Sequence, residues 1–192
     1  TKQYHGISIF GQAFSKPNGP DGKSLCATDH PVAPGSSTTN SNKFTYTLTY
    51  ENVDRIITYC TENWTDDKGN LILPNFDTII VPRGLLKAAR VIADSDGEPD
   101  TSDNNVNIYK GSFNVICIPL LATWSSTAWF LVDSERMKEY LNWLEARTPK
   151  LERDRSDFDR EVLKFKTVGN WAFGYDDWSW IAGSTGTSPD GQ

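Results

Sequence analysis

The sequence predicts an α+β protein, and three observations carry the prediction. An apolar stripe recurs at helical spacing over residues 53–64. A compact apolar run at 76–81 leads through Pro82 into a second helical stripe. The C-terminal third is made of extended segments with aromatic residues throughout. Helix, strand, helix and strands in that order make an α+β unit. With 192 residues, the chain suits one domain or two small ones. At this size folding buries about 70% of the unfolded surface, so a core forms without covalent staples.

Residues 1–15, carrying Ile7, Phe10, Gln12 and Phe14, read as the last turns of a helix whose earlier part is missing. Residues 16–22 (Lys-Pro-Asn-Gly-Pro-Asp-Gly) are dense turn chemistry, with proline fixing φ and glycine supplying positive φ. Residues 34–43, rich in Ser, Thr and Asn, read as an exposed loop. Val53, Ile56, Ile57, Cys60 and Trp64 then fall at i, i+3, i+4, i+7 and i+11, one continuous face. Thr49 is its N-cap, and Glu51 places a negative charge in the first turn, where the helix dipole favours it. Residues 66–70 end the helix.

Residues 76–81 read as a buried strand, and Pro82 suits the entry to a helix carrying Leu85, Leu86, Ala89 and Ile92. The following loop, 94–105, holds Asp94, Asp96, Glu98, Asp100 and Asp103 with no basic residue, and is expected to be exposed and mobile. Strands are expected at 106–109, 113–118 and 128–132, and longer ones at 140–144, 161–166 and 171–181. Between the long strands, residues 150–160 alternate in charge. The Gly/Ser/Thr/Pro-rich stretch 183–192 reads as a mobile tail.

Composition removes several function classes. Nineteen Lys and Arg against 25 Asp and Glu give a net charge of −6, which argues against a broad basic face for nucleic acid. No apolar stretch approaches the roughly 20 residues of a membrane span. The cysteines, Cys26, Cys60 and Cys117, are odd in number and widely spaced, which fits a reducing compartment rather than a disulfide framework. Two histidines, His5 and His30, leave little room for a histidine metal site. Glycine-rich nucleotide motifs and a nucleophile elbow are absent.

The remaining candidates are weak. Residues 94–100 resemble a calcium loop but lack its sixth-position glycine and twelfth-position glutamate. Asn63-Trp64-Thr65 is a glycosylation sequon placed where Trp64 should be buried. Cys26, Asp29 and His30 do not make a zinc set. No metal and no cofactor are expected. In the charged run each acid neighbours an arginine, a pattern of ion pairs rather than of a glycosidase's unequal carboxylates. Glu152, Arg153, Asp154, Arg155 and Asp157 are therefore expected at contacts between subunits, where mixed-sign charges fix register.

Four stretches, in order, resemble the major capsid proteins of tailed bacteriophages, in particular the head subunit of Mu-like phages and prophages, from about residue 7 to 186. The first is Phe14, then Asp21-Gly22-Lys23-Ser24-Leu25 and Thr28-Asp29-His30-Pro31, similar to the family's D-G-K-x-L-x-[ST]-x-H-P signature after its long spine helix. The second is the 53–64 helix, the turn at 67–70, and Ile79-Ile80-Val81-Pro82. The third is Trp129-Phe130-Leu131, Tyr140-Leu141 and Pro149-Lys150-Leu151-Glu152, with Phe158-Asp159 and Phe165-Lys166 behind. The fourth is 178–186, similar to the closing strand.

The resemblance implies a fold with an axial domain at 44–133. Residues 1–43 would be the end of the spine helix and its connecting loop, and 134–192 the peripheral-domain strands and tail. The family's N-terminal arm, extended loop and most of the spine helix have no counterpart in this sequence, and none of its cross-linking chemistry carries over. The implied function is a non-catalytic shell subunit, assembling into pentamers and hexamers of an icosahedral capsid around double-stranded DNA. Its partners would be copies of itself and portal, scaffold or decoration proteins, with DNA bound without sequence specificity and no membrane. It would assemble in the bacterial cytoplasm and reside in the virion, with the acidic loop near the capsomer centre. Two alternatives stand beside this one. The same fold could serve an encapsulin-like nanocompartment shell. Seven tryptophans and paired acids could instead belong to a secreted carbohydrate-binding or glycosidase domain, which needs exposed, coplanar aromatics.

Overall fold

The computed structural model describes residues 2–17, 19–98, 105–154 and 164–188. Helix α1 (Lys2–Gly11) leads into an irregular strap that contains the short pair β1 (His30–Pro31) and β2 (Thr39–Asn40). Then follow β3 (Lys43–Tyr46), α2 (Tyr50–Asn63), β4 (Thr78–Val81), a 3-10 turn (Arg83–Leu85) and α3 (Leu86–Asp94). After them come β5 (Asn114–Cys117), β6 (Trp129–Val132), α4 (Ser134–Tyr140), β7 (Leu141–Asp154), β8 (Lys164–Tyr175) and β9 (Ile181–Ser188). A mixed five-stranded sheet in the order β3-β9-β6-β4-β5 forms the body. Its outer pairs, β3–β9 and β4–β5, are parallel, while β9–β6 and β6–β4 are antiparallel.

Layers cover both faces of this sheet, which is why β4 and β6 are buried throughout and, Thr78 apart, apolar at every position. Successive side chains on a strand point to opposite faces. Ile79, Val81, Trp129 and Leu131 meet Val53, Ile56 and Cys60 of α2 and Ala89, Ile92 and Ala93 of α3. Ile80, Phe130, Val132 and Ile181 meet Ile9 and Phe10 of α1 and Leu25 and Cys26 of the strap. Buried tryptophans keep their indole N–H bonded: Trp64 donates to the Ser41 carbonyl (2.8 Å), and Trp129 to that of Tyr46 (2.9 Å).

Helix α2 matches its sequence reading. The Thr49 side chain accepts the Asn52 N–H at 3.3 Å, and Val53, Ile56, Cys60 and Trp64 are buried. Ile56 is 1% exposed, so Ile56→Ala is expected to cost about 2–5 kcal/mol through lost transfer energy and a residual cavity. Denaturant unfolding of the subunit measures it; a loss under about 0.5 kcal/mol would place Ile56 outside the core.

Elsewhere the structure departs from expectation. Residues 106–109 are not a strand: Val106 only bridges Gly97, and the chain turns at once. The Asn107 amide explains it, donating to the carbonyls of Ile92 (2.8 Å) and Ser95 (3.1 Å) and so closing the end of α3. Helix α4 was not expected, although Asp133 is a clear N-cap, accepting the N–H groups of Glu135 and Arg136. The supposed strand 171–181 is two strands, broken where the Asp177 carboxylate accepts the Trp178 N–H (2.7 Å) and the Ser179 hydroxyl (2.5 Å). The stretch from Gly183, expected as a mobile tail, forms most of β9 between β3 and β6 as far as Ser188. Glycine suits that place, because a Cβ at Gly183 would lie 2.6 Å from Cys26 Sγ and 2.9 Å from Phe130 Cδ1. Residues 161–163 of the expected 161–166 strand lie outside the described residues, as do 189–192.

Candidate functional site

Strands β7 and β8 form a separate two-stranded antiparallel ribbon that joins none of the body's strands. At its base Leu141 pairs with Tyr175 and Trp143 with Phe173, the last two rings stacked at 6.4 Å. Tyr175 is buried there, with Leu141 and Phe173 packed beside it. Beyond the base nearly every described residue of both strands is exposed. A strand of this length spans about 45 Å at ~3.3 Å per residue. Two register shifts, on either side of Arg147, bend it. Gly169 lets the ribbon close past Pro149, since a Cβ there would lie 2.7 Å from Pro149 Cγ.

The outer half of this arm has two unlike faces. Residues paired directly across strands share a face. Lys150 with Val168, and Glu152 with Lys166, lie on one face, where the Glu152 carboxylate meets Arg147 (2.7 Å) and Lys166 (3.3 Å). Leu151 with Thr167, and Arg153 with Phe165, lie on the other. Leu151 is 73% exposed and Phe165 56%. One face carries the Glu152 ion pairs beside a partly exposed Val168; the other presents the more exposed Leu151 and Phe165 side chains.

Of the residues expected at subunit contacts, Glu152 is engaged within the arm, and Arg153 is exposed beside Phe165. Asp154 ends β7 opposite Lys164. Arg155 and Asp157 lie outside the described residues. The sequence reading missed Leu151 and Phe165. Their signal was an apolar residue flanked by charged or polar ones on each strand, at the two-residue spacing of a ribbon.

The acidic loop is less bare than its sequence. Asp94 meets Arg90 (3.4 Å), Asp96 pairs with Lys110, and Glu98 accepts the Asn105 amide (3.0 Å). The hydrogen bond and charge of Lys110 hold the Asp96 carboxyl below its ordinary range. Basic residues outside the 94–105 stretch fold back onto it, which the local count of charges could not register. Asp96 is exposed as expected, while the loop's ends are tied by the Glu98 N–H to the Asn105 carbonyl (2.8 Å) and by Asn107. Asp100 and Asp103 lie outside the described residues.

The other candidates do not assemble. Cys26 is fully buried, and burial pushes its thiol up, away from the nucleophilic form. Asp29 pairs with Lys23, and His30 with Asp21 and Asn42. Among the described residues no group of His, Cys, Asp and Glu is arranged to hold a metal ion, and no helix is long and apolar enough to cross a membrane. Trp64, Trp129, Trp178 and Trp180 are buried, which removes most of the basis for a sugar-binding platform.

Comparison with known proteins agrees with the shell-protein reading. The chain matches the phage capsid protein family over residues 12–183, about nine-tenths of its length. A search of curated proteins gives no match. The matched region takes in the strap, the layered body from β3 to the start of β9, and the whole arm, leaving out helix α1, and on that extent the chain belongs to the phage capsid protein family, the structural shell subunits of bacteriophage heads.

Proposed function

We propose that this subunit assembles through pentamers and hexamers into an icosahedral head around double-stranded DNA, as a member of the Mu-like branch of its family. The observation that carries the assembly role is the arm. A two-stranded ribbon is marginal alone in water, and exposed apolar side chains grouped on one of its faces mark an interaction surface. In a shell of identical subunits the covering surface is another copy, and closed symmetry multiplies modest contacts into a stable assembly. Leu151, Arg153 and Phe165 supply the contact. The signature residues Asp21, Lys23 and His30 support the Mu-like assignment.

In this reading residues 44–133 are the axial unit, completed by β9 from the C-terminal region, and the arm belongs to the peripheral unit of 134–192. Residues 1–43 are the end of the spine and its connection. The net charge of −6 disfavours indiscriminate adhesion to packaged DNA. Portal, scaffold and decoration proteins are the further partners, and assembly takes place in the host cytoplasm. Electron microscopy of the purified protein tests the proposal directly: closed shells support it, and particles that stay monomeric under all assembly conditions refute it.

The acidic loop adds a salt dependence. Placed near the capsomer axis, copies of Asp94, Asp96 and Glu98, only partly offset by Arg90 and Lys110, approach one another, and screening relieves the remaining repulsion. Shell melting temperature is therefore expected to rise modestly with ionic strength and to ignore a chelator. A melting temperature indifferent to salt would remove the loop from the axis.

A further inference from the structure

The signature residues around Asp21 and His30 form a buried polar cluster that assembly contacts do not explain. His30 is fully buried, and its ring stacks on Trp178 at 4.6 Å and 13°. Nδ1 lies 2.5 Å from Asp21 Oδ2, and Nε2 lies 3.1 Å from Asn42 Oδ1. The orientation of the Asn42 amide is set by three backbone partners. Its Oδ1 accepts the Ala27 N–H (2.9 Å), and its Nδ2 donates to the carbonyls of Leu25 (2.8 Å) and Ile181 (3.0 Å). Turning the amide over would break all three. Both ring nitrogens of His30 therefore face acceptors. A neutral imidazole has one N–H and one lone pair; only the imidazolium donates from both. Asp21 Oδ1 also accepts the Lys23 N–H at 3.0 Å, so both oxygens of this carboxylate act as acceptors.

We infer that His30 is held as a buried imidazolium and serves as a pH-dependent latch, fastening the strap of residues 19–42 to β9. The fastening is direct. Asn42, whose Oδ1 faces His30 Nε2, bonds the Ile181 carbonyl through its side chain and the Gly183 N–H (2.8 Å) through its own carbonyl, and Lys43 begins β3 at the next residue. Trp178, in the turn before β9, covers the cation with its π-face. The charged and titratable neighbours are few. Asp21 bonds the ring. Asp29, held low first by its hydrogen bond from Lys23, also lies within reach of the ring's charge. Tyr175 of β8, its phenol pushed up by burial, faces Asp21.

Loss of the proton turns a lone pair on Nε2 toward Asn42 Oδ1 in a closed site, and the join between strap and strand weakens. The direction follows from proton counting. The latch needs a proton on each ring nitrogen, so it is fastened at low pH and weakens as pH rises.

Two measurements on the full chain test this. In a His5→Gln variant His30 is the sole histidine. Nitrogen NMR of labelled histidine should show both ring nitrogens protonated at about pH 7.5, above the ordinary histidine range; a neutral tautomer there overturns the inference. Hydrogen exchange at Ala27, Asn42 and Gly183, corrected for intrinsic rates, should lose at least about tenfold protection between about pH 6 and about pH 9. In Asp21→Asn the new amide donates to Nδ1 and Nε2–H still reaches Asn42, so the ring is satisfied while neutral and protection should be flat. Matching profiles in the two proteins overturn the latch. Should Asp21→Asn fail to fold, the NMR result decides alone.

Discussion

Replacing Leu151 and Phe165 together by aspartate is expected to abolish head assembly while leaving subunit stability within about 1 kcal/mol. Both side chains stand on the uncovered face of the arm, and changes at exposed positions usually stay within about 0.5 kcal/mol each. Between subunits the balance reverses. Covering a large apolar side chain contributes about 1.5–3 kcal/mol, and two aspartates would carry charges into the contact without partners. Repeated at every copy of a closed shell, such a loss per contact leaves no assembled population. Light scattering and electron microscopy read the assembly, and denaturant unfolding reads the subunit. Normal shells from the double variant would show that this face looks onto solvent in the head.

A loss of stability as large as that of Ile56→Ala is expected at Gly186→Ala. Gly186 sits in β9 with φ +66°, and a Cβ there would lie 2.1 Å from the Thr127 carbonyl oxygen. The left-handed conformation costs an ordinary residue about 1–2 kcal/mol. The collision is with backbone, so relief requires β9 to move away from the chain entering β6, about 1–3 kcal/mol more. A total of about 2–5 kcal/mol is a large share of a typical domain's stability. Gly22→Ala separates the two causes: φ is +74° and nothing lies within 4 Å of its Cβ position, so only the conformational cost of about 1–2 kcal/mol applies. Equal losses at the two glycines, measured by denaturant unfolding, would show that the Thr127 contact yields freely.

Several parts of this protein were written in local sequence. The stripe of α2, its Thr49 cap, and the step from β4 through Pro82 toward α3 depend on spacings of a few residues, and periodicity reports them directly. The four ordered stretches likewise resemble those of a shell subunit. What depended on distant partners was not legible. The Gly183–Ser188 segment looks like a tail because its small residues carry no apolar signal, yet it becomes a central strand where Phe130 and Cys26 demand a neighbour without a side chain. The loop at 94–105 reads as unrelieved negative charge until Arg90 and Lys110 fold back onto it. Cys26, Asp29 and His30 sit close together in sequence without making a zinc set; folding gives His30 Asp21 and Asn42 as partners. Sequence by itself determined the elements whose hydrogen bonds and apolar faces close within one segment, and the family to which they belong. Only the tertiary structure decided which strand lies between β3 and β6, which charges are neutralised, and which apolar side chains are left on the arm, because each is set by groups outside its own segment of chain.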